Sequence, residues 1–215
     1  MSRGPAEAVL FDFDGVLVDS GRQVELAWGQ WADRHGISID AMRAVWHGRQ
    51  TEEVVRMLAR ELDPGVEAAW VEELVLTIDG GGTAIDEAVE LYRRLAEGRR
   101  AIVTSARIET AQARIARQAL PPPAALVTAG DVEAGKPAPD CYRLGARLLG
   151  LDPERCLVIE DAPAGIEAAL AAGMTVIALT TTHPAQELAA AHQVIPPTEL
   201  DSTAMALLAP GVAAL

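Results

Sequence analysis

The sequence predicts an α/β protein: a doubly wound parallel sheet with an α-helical module inserted near its start. Three observations lead there. From residue 84 onward, short apolar runs alternate with helical stretches of roughly 10 to 15 residues, the grammar of right-handed βαβ units. A first apolar run, residues 8–13, reads as a strand of the same sheet. Immediately after it, residues 21–83 carry helical periodicity and no strand pattern. The expected organisation is therefore a core of residues 1–20 and 84–215 and a helical cap of residues 21–83.

Each element has its own warrant. "AVLFDF" is a short run apolar throughout, as expected for a strand buried on both faces. In "SGRQVELAWGQWADRHG", Val24, Ala27, Trp28 and Trp31 fall at helical spacing, and Gly36 stops the helix. "QTEEVVRMLARELDPG" predicts a second helix, capped by Thr51 and ended by Asp63-Pro64-Gly65, and "VEAAWVEELVLTI" a third. "DGGGT", residues 79–83, is a glycine-rich break and a candidate hinge. Then come helix "IDEAVELYRRLAEG", strand "RRAIVTS", helix "RIETAQARIARQA", strand "AALVTA", helix "PDCYRLGARLLG", strand "RCLVIED", helix "AGIEAALAAG" and strand "MTVIALTT". Pro121-Pro122-Pro123 is a stiff local connection.

Composition narrows the function. Half of the 215 residues are hydrophobic but only 4% are aromatic, so Ala, Val, Leu and Ile must build the core. The net charge of −13 argues against nucleic acid and against an anionic membrane surface as partners. Two cysteines make neither a disulfide framework nor a zinc site. No long apolar stretch precedes Asp12, and no run of 18 apolar residues occurs, so neither a signal peptide nor a membrane span is expected. The chain reads as cytoplasmic and soluble, a monomer or weak homodimer.

Ligands of open parallel sheets bind outside the carboxyl ends of the strands. The first strand delivers Asp12 and Asp14 there, the "AIV" strand Thr104 and Ser105, and the "LVIE" strand Glu160 and Asp161. The loop "DVEAGKPAPD" adds Lys136. Alone, each piece has a plainer reading: a loop D-x-D, a helix cap, an acidic complement to a helix dipole. Together, four acids, two hydroxyls and a lysine on one rim have the composition of a magnesium and phosphate site. A cation would also explain why two carboxylates two positions apart are tolerated at the end of an apolar run.

The order D-F-D-G-V-L-V-D-S, then hydrophobic-hydrophobic-Thr-Ser, then G-K-P, then E-D-A-P-A-G resembles the haloacid dehalogenase superfamily, over nearly the whole chain. The helical insertion after the first motif resembles the small cap of its β-phosphoglucomutase-like branch. The resemblance implies a Rossmann-like core and a Mg2+-dependent phosphotransferase. Asp12 would be the nucleophile that forms an aspartyl-phosphate. Asp14 would be the general acid and then the base. Mg2+ would be held by Asp12, the backbone carbonyl of Asp14 and Asp161, with Glu160 acting through water. Thr104, the amide of Ser105 and Lys136 would hold the phosphoryl group.

The cap sequence, "HGRQT" included, resembles those of microbial sugar phosphatases and of glycerol-phosphate and deoxyglucose-phosphate phosphatases. That implies a small phosphorylated metabolite as partner, with His47, Gly48 and Arg49 as candidate substrate contacts. The plainer reading has His47 capping a helix and Arg49 pairing with Glu52 or Glu53. Trp28 and Trp31 read as cap core. A phosphosugar mutase is the alternative, but that branch carries a histidine where this chain has Val24 and a cap arginine where it has Thr51. Haloacid dehalogenases lack the second aspartate, and a Schiff-base hydrolase needs a cap lysine, which residues 21–83 do not contain. A phospho-aspartate switch of the response-regulator type would lack both the cap insertion and Asp14. One departure concerns re-entry into the core, where related phosphatases carry Pro-Gly and this chain reads "TAIDEA"; the glycines of "DGGGT" supply flexibility there. The cap is expected to close on substrate about this hinge and residues 18–21, excluding water.

Overall fold

A computed structural model describes residues 4–43, 45–78 and 82–213. In chain order the elements are β1 (Ala8–Phe11), β2 (Val18–Asp19), α1 (Gly21–His35), α2 (Ile39–Arg43), α3 (Thr51–Leu58), α4 (Pro64–Thr77), β3 (Thr83–Ala84) and α5 (Asp86–Arg94). There follow β4 (Arg100–Val103), α6 (Ile108–Arg117), β5 (Ala125–Val127), α7 (Asp140–Leu148), β6 (Cys156–Glu160), α8 (Pro163–Ala172), β7 (Thr175–Leu179), β8 (Gln193–Ile195) and α9 (Leu200–Leu207).

Six strands form one sheet in the order β5-β4-β1-β6-β7-β8, and every pairing in it is parallel. The chain runs outward from β1 on one side through β4 and β5, then returns to β6 on the other. That places the switch point of the winding at the carboxyl end of β1. Period-two alternation feeds both faces of the sheet. Val9 and Phe11 of β1 pack with Ile102, Ile159 and Ile177 against α5 and α9. Leu10 packs with Val103, Val158 and Val176 against α7 and α8. Both faces are covered, which is why the strands are hydrophobic throughout rather than alternating. Phe11 meets Tyr92 edge-on at 5.4 Å, and the Tyr92 hydroxyl donates to the carbonyl of Pro121 in the stiff connection ahead of β5.

Helices α1–α4 bury a cluster of their own, built around Trp28, Trp31, Trp46, Val54, Val71 and Val75. Two of them differ from expectation. The second predicted helix ends at Leu58, and Thr51 is its first residue rather than its cap; the capping position is Gln50. Asp63-Pro64-Gly65 starts α4 instead of ending α3. The Asp63 carboxylate accepts from the amides of Gly65 and Val66, and Pro64 occupies the first turn, where its missing N–H costs nothing. Helices α2 and α9 and strands β2, β3 and β8 had no counterpart among the expected elements, and β3 begins at Thr83, within the block expected to be all-helical. Of the expected hinge, residues 79–81 lie outside the described residues. Next to them, β3 pairs antiparallel with β2 in a two-stranded ribbon joining the helical unit to the sheet. Among the described residues, no helix is long and apolar enough to cross a membrane.

Candidate active site

Strand β1 ends beside β4 and β6, so the acids that follow these strands meet on one rim. Lys136, the only lysine in the sequence, reaches it from the loop before α7. Its ammonium lies 2.6 Å from Oδ1 of Asp12 and 2.8 Å from Oε1 of Glu160, and it is 1% exposed. Glu160 is wholly buried and hydrogen-bonded at both oxygens: Oε1 also accepts from the Tyr142 hydroxyl, and Oε2 accepts from the amides of Asp161 and Ala162. The carboxylates of Asp12, Glu160 and Asp161 offer oxygens within 4.8 Å of one another. Asp161 further accepts from the Thr182 hydroxyl.

The charge of this cluster does not balance. Three buried carboxylates face one lysine. Burial, then the charges of Glu160 and Asp14, push the Asp12 carboxyl up to about 7, although Lys136 pulls it down. Burial, then Glu160 and Asp12, push Asp161 well above the usual carboxylate range. Burial opposes the charge of Lys136, yet Asp12 and Glu160 hold its ammonium well above the usual range. A divalent cation among hard oxygen ligands fits this deficit of positive charge and this donor set. Gly15 keeps the position open: a Cβ there would lie 2.0 Å from Oδ2 of Asp161, and its φ of +75° suits glycine.

Asp14 stands apart from the cluster, half-buried. Its Oδ1 accepts from the Ser20 hydroxyl, and its Oδ2 accepts from Nη1 of Arg114 at 2.5 Å. Thr104 is buried, and its Oγ1 accepts from the amide of Ala106. The Ser105 hydroxyl donates to the carbonyl of Gly48, tying the β4 rim to the helical unit. Gln50 makes a similar tie to the carbonyl of Ala129.

Between rim and helices lies a cavity of about 130 Å³. Asp12, Asp14, Ser105 and Asp161 form its floor, and Trp28, Trp46, Val71 and Val75 line its apolar wall. His47, Gly48 and Arg49 all reach it. The capping position of α3 is Gln50; the His47 ring lies 4.7 Å from that of His183, and its Nε2 accepts from the Trp46 indole. Arg49 pairs with Glu53 at 2.9 Å. Trp31 is core, donating to Glu67, whereas Trp28 is both core and cavity wall.

Sequence reasoning missed Arg114, Glu72, Trp46, Thr182 and His183. The last two follow β7 in "TTTH", so the strand-end rule applied to one more strand finds them. Arg114 and Glu72 lie in mid-helix, with no local pattern to mark them.

The haloacid dehalogenase-like hydrolase family model matches residues 6–173. Hexitol phosphatase A of Escherichia coli (strain K12) is 45% identical over 79% of this chain and 81% of its own length. Validoxylamine A 7'-phosphate phosphatase of Streptomyces hygroscopicus subsp. limoneus is 34% identical, over 86% and 91%. The crystal structure of a hydrolase from Pseudomonas syringae superposes with a TM-score of 0.80 at 26% identity, covering 94% of this chain and all of that one. With its motif acids gathered on the rim of a doubly wound sheet, the chain belongs to the haloacid dehalogenase-like hydrolases.

Proposed function

We propose that the protein is a phosphoric monoester hydrolase acting on a small sugar or polyol phosphate, with Mg2+ as cofactor. The observation that carries this reading is the placement of Asp12: a buried carboxylate at the floor of a small cavity, 2.6 Å from Lys136 and grouped with Glu160 and Asp161. The relatives named above are a hexitol phosphatase and a validoxylamine A 7'-phosphate phosphatase, which supports the substrate class.

In this mechanism Asp12 attacks phosphorus while Lys136 neutralises charge on both nucleophile and phosphoryl oxygens. Asp14 gives a proton to the departing alkoxide. It then takes one from water, which attacks phosphorus and releases Asp12. Such proton transfer contributes roughly 10²- to 10⁴-fold. Thr104 and the Ser105 amide orient the phosphoryl oxygens. Asp12, Asp161 and the backbone carbonyl of Asp14 would hold Mg2+ directly, and Glu160 through water; the bound cation supplies Lewis-acid stabilisation of phosphoryl charge. Residues 21–83 act as a cap that excludes water, with His47, Gly48 and Arg49 at the substrate end. The working unit in this reading is a monomer or weak homodimer, and the cytoplasm is its expected place.

Val24 and Thr51 both line the cavity, so it offers an isopropyl and a hydroxyl where the mutase branch carries a histidine and an arginine. This favours the hydrolase over the mutase. The test is phosphate release from hexitol, hexose and pentose monophosphates with Mg2+. Turnover on one group, lost in Asp12→Asn, supports the reading. Release only when a sugar bisphosphate is added, with the sugar phosphate isomerised, would replace it with the mutase.

A further inference from the structure

Arg114 is a buried arginine with an incomplete set of partners. It projects from α6 into the cavity, its side chain 5% exposed, and its Nε is buried without a hydrogen-bond partner. Buried donors are nearly always satisfied, because an unmet one forfeits its hydration with no return. A charge kept so dry needs a reason. The guanidinium rests 5.8 Å over the ring of Phe13, the residue between the two motif aspartates, and spends Nη1 on Oδ2 of Asp14. The packing on Phe13 and the bond to Asp14 fix one carboxylate oxygen in place. The other, Oδ1, meets the Ser20 hydroxyl, which can donate or accept.

The two tethers differ in kind. A guanidinium only donates, so an oxygen bound to it is held as an acceptor and is the poorer site for a proton. A hydroxyl imposes no such choice. We propose that Arg114 is a positioning residue for proton transfer: by holding Oδ2 of Asp14 as an acceptor, it leaves Oδ1 as the oxygen that gives and takes the proton and fixes the plane in which it does so. In the first half-reaction the bond from phosphorus to the ester oxygen breaks, and the Oδ1 proton passes to that oxygen, giving the alcohol and the Asp14 carboxylate. In the second, water attacks phosphorus and its proton returns to Oδ1, giving inorganic phosphate and free Asp12. The inference rests on the phosphatase reading, in which Asp14 is the acid and base.

The test uses two leaving groups. An alkoxide from a hexitol phosphate needs protonation as it departs; p-nitrophenolate from p-nitrophenyl phosphate does not. Rapid-quench measurement of the first turnover isolates that step for Arg114→Met, Arg114→Lys and Asp14→Asn, each checked for fold by circular dichroism. In Arg114→Met the first turnover of the hexitol ester should slow on the order of 10²-fold, the usual consequence of a misplaced catalytic group. The nitrophenolate burst should change by less than about threefold, because its departure needs no acid. Arg114→Lys keeps one donor and should show the same selectivity with a smaller loss; it carries the test alone if the Met variant does not fold. Asp14→Asn should share the pattern. Equal losses on both esters, or a loss confined to KM, would overturn the inference and make Arg114 structural or substrate-binding. No turnover of either ester by the unaltered protein would overturn the phosphatase reading and this inference with it.

Discussion

Gly165 faces Glu160 so closely that a Cβ on the glycine would lie 1.6 Å from Oε1 of the glutamate. Glycine is a poor residue for a helix, and Gly165 sits in the first turn of α8. Its presence is explained by the carboxylate that bridges Lys136 to the start of that helix. Gly29, within α1, has nothing within 4 Å of where its Cβ would be. Opposite outcomes are expected from one chemical change. Gly29→Ala should stabilise the protein by up to about 1 kcal/mol, while Gly165→Ala should destabilise it by about 1–3 kcal/mol through overpacking. Denaturant melts of the two variants decide it, and equal gains would show that the approach to Glu160 is not close.

Lys136 is the counter-charge for a cluster that is otherwise all acid. Lys136→Met leaves Asp12 and Glu160 buried without it, a change that costs about 3–5 kcal/mol when one partner of a buried pair is removed. For a chain of this size each kcal/mol shifts Tm by roughly 2–4 °C. A fall in Tm of the order of 10 °C, with activity abolished, is expected from thermal unfolding. A variant that melts with the unaltered protein would show that the lysine does not hold the cluster.

The raised Asp12 carboxyl sets a pH dependence with a definite sign. Its proton is held more tightly in the folded chain, so the metal-free protein loses stability as pH rises from 3.8 toward about 7. Asp161 shifts in the same direction. Relative to Asp12→Asn, the unaltered metal-free protein should therefore become less stable across that window. Mg2+ needs the same oxygens deprotonated, so its affinity should rise with pH. At 100 times its Kd, the cation should add about 2.7 kcal/mol, returned on chelation. Melting curves at several pH values, with and without Mg2+, measure both. A stability difference independent of pH would contradict the burial of Asp12.

Much of this was legible in the chain, for a physical reason. A strand buried on both faces must be apolar along its length, so the acids that interrupt it mark its end: Asp12 after β1, and Glu160 and Asp161 at β6. Once the winding is parallel, those ends share a rim. Arg114 could not be read this way. Its partner Asp14 lies 100 residues away, and an arginine in a helix with other arginines looks like any solvated residue. Asp63-Pro64-Gly65 shows a different ambiguity, since residues that break one helix also cap the next. β8 spans three residues, one of them glutamine, at the edge of the sheet, too short for a pattern to declare itself.

The cap closes in this account through a few polar ties: Ser105 to Gly48, Gln50 to Ala129, and Glu72 of α4 to the amide of Arg107 at the start of α6. A phosphate mimic with Mg2+ should favour that closed arrangement, contracting the small-angle scattering profile and changing the fluorescence of Trp28 and Trp46 in the cavity wall. Identical profiles and spectra with and without the mimic would count against closure on ligand.

In the proposed reaction Asp12 becomes covalently phosphorylated and then releases phosphate. Acid-quenched intact-mass measurement during turnover of a hexitol phosphate with Mg2+ tests it most directly. One added phosphoryl group, mapped to Asp12, decaying as phosphate appears and absent in Asp12→Asn, is the predicted result. Phosphate release at an undiminished rate from Asp12→Asn, or a phosphoryl group on any other residue, would contradict it.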